Sequence, residues 1–114
     1  MTRPMSGLRA WLLQRASAVF LSLFGLWVLG YFLTAPPSDF AEWRAVMSAP
    51  LVSGGVLLGL LALLLHAWIG LRDVLLDYVR SLPLRLALVS LVVAGLAACG
   101  LWGVRLLLVD VVVA

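Results

Sequence analysis

Three long stretches without a charged side chain dominate the chain: Ala16 to Leu33, Leu51 to Leu71 and Leu86 to Val104. They hold 18, 21 and 19 residues, against about 20 needed to cross a hydrocarbon layer about 30 Å thick at about 1.5 Å per helical residue. The pattern predicts an all-α protein with three transmembrane helices, over approximately 16–35, 51–79 and 84–109 of a single anchor domain, 1–114. A membrane β-barrel would alternate apolar and polar positions, which runs such as Leu60 to Leu65 do not do. The first stretch lacks a short apolar core followed by a small-x-small cleavage site and ends at Pro36 and Pro37. It is therefore read as a retained helix rather than a signal peptide.

Between the first two stretches, Ser38 stands as a helix cap, with a short interfacial helix over 39–48. Phe40, Trp43, Val46 and Met47 would form its apolar stripe at the membrane surface. Trp11 and Trp43 are suited to anchoring at the interface.

Composition agrees with this reading. Hydrophobic residues make up 65% of the chain and charged residues 11%, whereas soluble domains carry about 45–50% and about 25%. A water-soluble fold and a disordered chain are both excluded. The net charge of +3 comes from dispersed arginines, with no basic cluster to indicate nucleic-acid binding. Cys99 is the single cysteine, so neither a disulfide framework nor a thiolate metal cluster can form within the chain.

The positions of the arginines predict orientation, because positively charged loops stay on the cytoplasmic side. Arg3, Arg9 and Arg15 precede the first span, and Arg72, Arg80 and Arg85 surround the second connection. The first connection has Arg44 against Asp39 and Glu42, and the C-terminal end has Arg105 against Asp110. The expected topology is N-in, C-out.

The second span carries the candidate chemistry. His66, the chain's single histidine, falls about 8 Å along the axis from Leu71, inside the inner half of the bilayer. At about 100° per residue, Gly55, Gly59, Ala62, His66, Gly70, Asp73 and Asp77 fall on one narrow stripe. Three readings fit that stripe. Small residues let a neighbouring helix approach, with His66 hydrogen-bonding across the contact. A neutral imidazole is also a standard haem ligand, beside a groove poor in side chains where a flat macrocycle can lie. A proton relay through His66 and the acids is the third. A haem with two imidazole ligands would have to take the second from another polypeptide.

At the cytoplasmic end of this helix, Arg72, Asp73, Asp77, Tyr78 and Arg80 form a polar group at headgroup depth. A solvated helix end with snorkelling arginines accounts for it. So does a quinone site, where Tyr78 donates its phenolic proton to a carbonyl and Asp77 holds water or an arginine. Arg15 could pair with a propionate, with Asp77 or with lipid phosphate.

The run His66-Ala67-Trp68-Ile69-Gly70-Leu71-Arg72-Asp73-Val74-Leu75-Leu76-Asp77-Tyr78-Val79 closely resembles the signature of the hydrophobic membrane-anchor subunit of bacterial succinate dehydrogenase. Arg15-Ala16-Ser17-Ala18 is similar to that family's Arg-Ala-Thr/Ser motif ahead of its first helix. The first outer loop and the third span match in character only.

The resemblance implies an anchor in the inner membrane of a bacterium, N-terminus cytoplasmic and C-terminus periplasmic, packed with a second membrane-anchor subunit into a helix bundle. His66 matches an axial ligand of a haem b shared with that second anchor. Arg15 matches the arginine near a haem propionate, Tyr78 the tyrosine that hydrogen-bonds ubiquinone, and Asp77 its acidic neighbour near both. Ser17 stands where the family often carries Thr, and the resemblance assigns it no direct role. Succinate oxidation at FAD, and the iron-sulfur clusters, would belong to a flavoprotein and an iron-sulfur subunit. This chain has no cysteine cluster or nucleotide-binding glycine fingerprint. A small pore-forming or scaffold protein of the inner membrane, without cofactor, fits the composition equally well.

Overall fold

A computed structural model describes residues 4–113 and is helical throughout its long segments: α1 (Pro4–Thr34), α2 (Phe40–Ser48), α3 (Pro50–Tyr78) and α4 (Leu82–Arg105), continued by a π-helical segment (Leu106–Val113). Three helices are long and apolar enough to cross a membrane: Gly7–Thr34, Pro50–Tyr78 and Leu82–Val113. The molecule measures 52 × 24 × 21 Å, so its long axis exceeds the about 40–45 Å of a bilayer with its headgroups.

The first span differs from the sequence expectation at its start. The helix begins at Pro4, about three turns ahead of Ala16, and so takes in Arg9 and Arg15; Arg3 lies outside the described residues. A charge-free window marks what can sit in hydrocarbon, and it does not mark where backbone hydrogen bonding starts. Gly7 through Gln14 contain no residue that would break the helix apart from glycine itself. At the other end α4 and its π-helical continuation run to Val113, beyond residue 109.

The short helix between the first two spans is present, but its cap is Asp39 rather than Ser38. Asp39 has extended backbone angles, and its side chain accepts from the Glu42 N–H. Glu42 in turn accepts from the Ser38 N–H at 2.8 Å, so the two carboxylates and two amides close the turn reciprocally, in the manner of a capping box. The Ser38 N–H holds the Glu42 carboxyl below its ordinary pKa. Trp43, Val46 and Met47 are half-buried, while Phe40 is exposed and stacks on Trp43 with ring centroids 5.6 Å apart.

Glycines set how the spans meet. On α3, Gly55 and Gly59 face α1, where a Cβ on Gly55 would lie 2.8 Å from Phe24 Cε2, and one on Gly59 3.4 Å from Phe24 Cδ1. On the opposite side the roles reverse: Leu60 and Leu64 of α3 press into Gly103 and Gly100 of α4, each leaving 2.9 Å for a Cβ. Close approach of this kind is how membrane helices gain packing when lipid offers no hydrophobic drive. Beyond the buried Ile69, Leu107 and Val111, most large apolar side chains stay exposed. In a membrane those faces meet acyl chains or partner helices.

Arg44 ties α2 to the third span. Its Nε donates to the Val111 carbonyl at 3.0 Å, one of the terminal carbonyls that a helix leaves without an internal partner. Leu107 and Val111, one turn apart, are buried in the segment on which α2 packs.

Gly55→Ile should destabilise the chain in detergent by about 1–3 kcal/mol through overpacking against Phe24, whereas Gly54→Ile, at a position whose Cβ meets nothing within 4 Å, should change it by less than about 0.5 kcal/mol; denaturation followed by tryptophan fluorescence compares them. Arg44→Leu should cost about 1–2 kcal/mol and speed amide exchange in the last turn of the third span.

Candidate functional site

His66 sits on the face of α3 that meets α1, half-buried. Its Nδ1 lies 3.2 Å from Ser17 Oγ, and Ser17 is itself 6% exposed, the buried polar side chain of the described region. The Ser17 hydroxyl also reaches the Gln14 carbonyl one turn back, at 3.0 Å. The imidazole is thus held to α1 through one nitrogen. Its Nε2 has no hydrogen-bond partner among the described residues.

Around this contact the small-residue stripe divides. Gly55 and Gly59, N-terminal to His66 on α3, are filled by Phe24 and Phe20 of α1, and a Cβ on Gly70 would lie 3.7 Å from Gln14 Nε2. A flat ligand therefore does not lie along Gly55 and Gly59; those glycines serve helix packing. Open space adjoins the stripe instead, in a groove of about 240 Å³ between α1 and α3 lined by Leu13, Ala16, Ser17, Phe20, Leu58, Leu61, Ala62 and Leu65. Ala62 is one turn from His66. The groove wall is apolar apart from Ser17.

Further toward the C-terminal end of α3, Gln14, Trp11, Arg72 and Asp73 line a second cleft of about 350 Å³ with Gly7, Ala10 and Ile69. Gln14 Oε1 is buried there without a hydrogen-bond partner. Arg72 donates from Nε and Nη2 to one oxygen of Asp73, at 3.1 and 2.9 Å. Both side chains are partly exposed, and such pairs contribute little to stability.

The remaining candidates are not joined to this centre by side-chain bonds. Arg15 lies over the Trp11 ring at 5.5 Å, a cation–π contact one turn along α1, and makes no ion pair with Asp77 among the described residues. Asp77 is exposed without a partner among those residues. Tyr78 ends α3 and is 80% exposed. The acids expected to continue a relay from His66 do not bond to it; Ser17 does. No group of three or more His, Cys, Asp or Glu among the described residues could hold a metal ion.

Ser17, Gln14 and Arg44 are the polar side chains to which the sequence pattern assigns no role. Ser17 has one available signal, its place directly after Arg15-Ala16. The burial of Gln14 Oε1 between α1 and α3 and the Arg44 contact with Val111 depend on how helices cross, which no local pattern encodes. Cys99 is exposed on α4.

Comparison with known proteins covers nearly the whole of this arrangement. Residues 1–104 match the family model described as succinate dehydrogenase/fumarate reductase transmembrane subunit. The chain is 32% identical over 101 residues to a succinate dehydrogenase hydrophobic membrane anchor subunit of Coxiella burnetii, covering 89% of this chain and 88% of that one. Proteins of the same description from Rickettsia felis and Rickettsia bellii are 32% and 33% identical, over 76% and 74% of this chain and 72% and 67% of theirs. With α1, α3 and the His66 contact between them all inside the region the family model matches, the chain belongs to the succinate dehydrogenase/fumarate reductase transmembrane subunit family.

Proposed function

We propose that this chain anchors a succinate:quinone oxidoreductase in the inner membrane of a bacterium, N-terminus in the cytoplasm and C-terminus in the periplasm. It supplies one axial ligand of haem b and one wall of the ubiquinone-reducing site. The observation that carries the reading is the half-buried imidazole of His66 at membrane depth, fixed to α1 through Nδ1 while Nε2 has no partner among the described residues. An imidazole nitrogen with nothing to bond in hydrocarbon is costly, and iron coordination removes that cost.

The donor set fits a b-type haem with one ligand from this chain. An imidazole is available, and the adjoining groove is apolar. With a single histidine in the sequence, a second imidazole has to come from the neighbouring membrane anchor. The exposed apolar faces of α1, α3 and α4 supply the surface for packing with it. When bound, haem b provides a one-electron store beside the quinone.

The chain's own residues contribute holding and proton handling. Arg15 sits on the helix turn next to Ser17 with its guanidinium over Trp11, at a depth where it can pair with a haem propionate. Tyr78, at the cytoplasmic end of α3, donates its phenolic hydrogen to a quinone carbonyl from an exposed ring. Asp77, beside it and unpaired among the described residues, orients water that carries protons in from the aqueous side. Succinate is oxidised at FAD in a flavoprotein subunit, and electrons reach the quinone through clusters of an iron-sulfur subunit. The reactive centres of the first steps belong to those partners.

Purified with its partners, the complex should show a reduced-minus-oxidised b-type spectrum that His66→Ala abolishes or shifts; an unaltered spectrum would remove His66 as ligand. Tyr78→Phe should lower quinone reduction about 10-fold, the scale of one lost hydrogen bond, and spare succinate oxidation by a soluble artificial acceptor. Equal rates of quinone reduction in the variant and the parent would exclude Tyr78.

A further inference from the structure

We infer that Ser17 fixes the tautomer of His66, placing the proton on Nδ1 and leaving the lone pair on Nε2. Ser17 is a positioning residue, and the assignment follows from counting hydrogens. A serine hydroxyl has one proton and can also accept. Its oxygen lies 3.0 Å from the Gln14 carbonyl oxygen, which can only accept, and 3.2 Å from His66 Nδ1.

If the hydroxyl gave its proton to Nδ1, two oxygens would face each other at 3.0 Å with no hydrogen between them. At a side chain that is 6% exposed, neither water nor lipid relieves that repulsion, and buried polar groups are costly when left unpaired. The arrangement that satisfies both contacts has the Ser17 O–H donating to the Gln14 carbonyl and the His66 Nδ1–H donating to Ser17 Oγ. In the neutral ring this leaves the lone pair at Nε2, where no protein donor competes among the described residues. The backbone of α1, through one hydroxyl, thereby decides which nitrogen of a side chain on α3 is available to a ligand.

A consequence for iron rests on the haem reading above. A ligating histidine whose other N–H is hydrogen-bonded is held in orientation and made more basic, which favours the oxidised metal. Removing the hydroxyl should therefore move the haem potential to more positive values.

The tautomer is read on the full chain in lipid nanodiscs, labelled with 15N-histidine. Its single histidine gives one pair of ring nitrogen resonances, and one-bond coupling to hydrogen shows which nitrogen is protonated at alkaline pH. The parent chain should carry the proton on Nδ1, Ser17→Ala should show a mixture or Nε2 protonation, and Ser17→Thr should behave as the parent. A parent chain protonated on Nε2, or a Ser17→Ala tautomer identical to that of the parent, overturns the inference.

In the complete complex, redox titration of the b-type signal should show a positive shift for Ser17→Ala and none for Ser17→Thr. An unshifted potential in Ser17→Ala, with the haem signal intact, counts against the inference. A b-type signal that survives unchanged in His66→Ala would refute the haem reading instead, while an Nδ1–H tautomer in the nanodisc chain would still support Ser17 as its cause.

Discussion

Lipid offers no hydrogen-bond partners, so every polar group this chain carries into the membrane has to be satisfied by the chain itself or by what binds it. The backbone meets that demand by being helical from Pro4 to Thr34, from Pro50 to Tyr78 and from Leu82 through Val113. Polar side chains meet it locally: Ser22, Ser53 and Ser90 each return their hydroxyls to a carbonyl four residues back. Ser17 does the same toward Gln14, one turn back, and then has a lone pair left over. That remaining capacity holds the imidazole. The same rule operates at the end of the third span, where Arg44 bonds a terminal carbonyl.

Packing among the spans is organised around α3, which gives and receives glycine grooves on opposite sides. Toward α1 it presents Gly55 and Gly59, and the stacked rings of Phe20 and Phe24, 5.7 Å apart, fill them. Toward α4 it presents Leu60 and Leu64, which fill Gly103 and Gly100. Between these two contacts Leu61 and Leu65 border apolar grooves on either side, one with α1 and one with α4. Here α1 and α4 pack on opposite sides of α3, so the three spans form a layer that buries few of its large apolar side chains.

The three spans were legible because a charge-free window of 18 or more residues has few uses outside a membrane. The start of α1 was not, since Arg9 and Arg15 interrupt the apolar window without disturbing helical hydrogen bonding. The short helix α2 was legible as an amphipathic pattern, yet its cap moved from Ser38 to Asp39, because both residue types can cap and only backbone geometry chooses between them. At the site, His66 stands out as a lone imidazole in an apolar helix. The glycine stripe beside it was ambiguous: its spacing suits a helix neighbour or a flat ligand, and the aromatic side chains that occupy it lie on a different helix. Composition alone also fitted a cofactor-free scaffold, and it was the ordered motif from His66 to Tyr78 that pointed to the family.

One contact between helices explains why Ser17 matters more than its chemistry suggests. The imidazole of His66 cannot rotate without breaking the contact with Ser17 Oγ. Its aim is therefore set before any partner arrives. Burying Ser17 against the glycine-packed contact of α1 and α3 makes that aim as rigid as the helix pair itself, since Phe20 and Phe24 lock the same two helices a few residues further along. The aromatic filling of Gly55 and Gly59 and the hydroxyl on Nδ1 are thus parts of one device. One fixes the distance between the helices, and the other converts that distance into the direction of a lone pair.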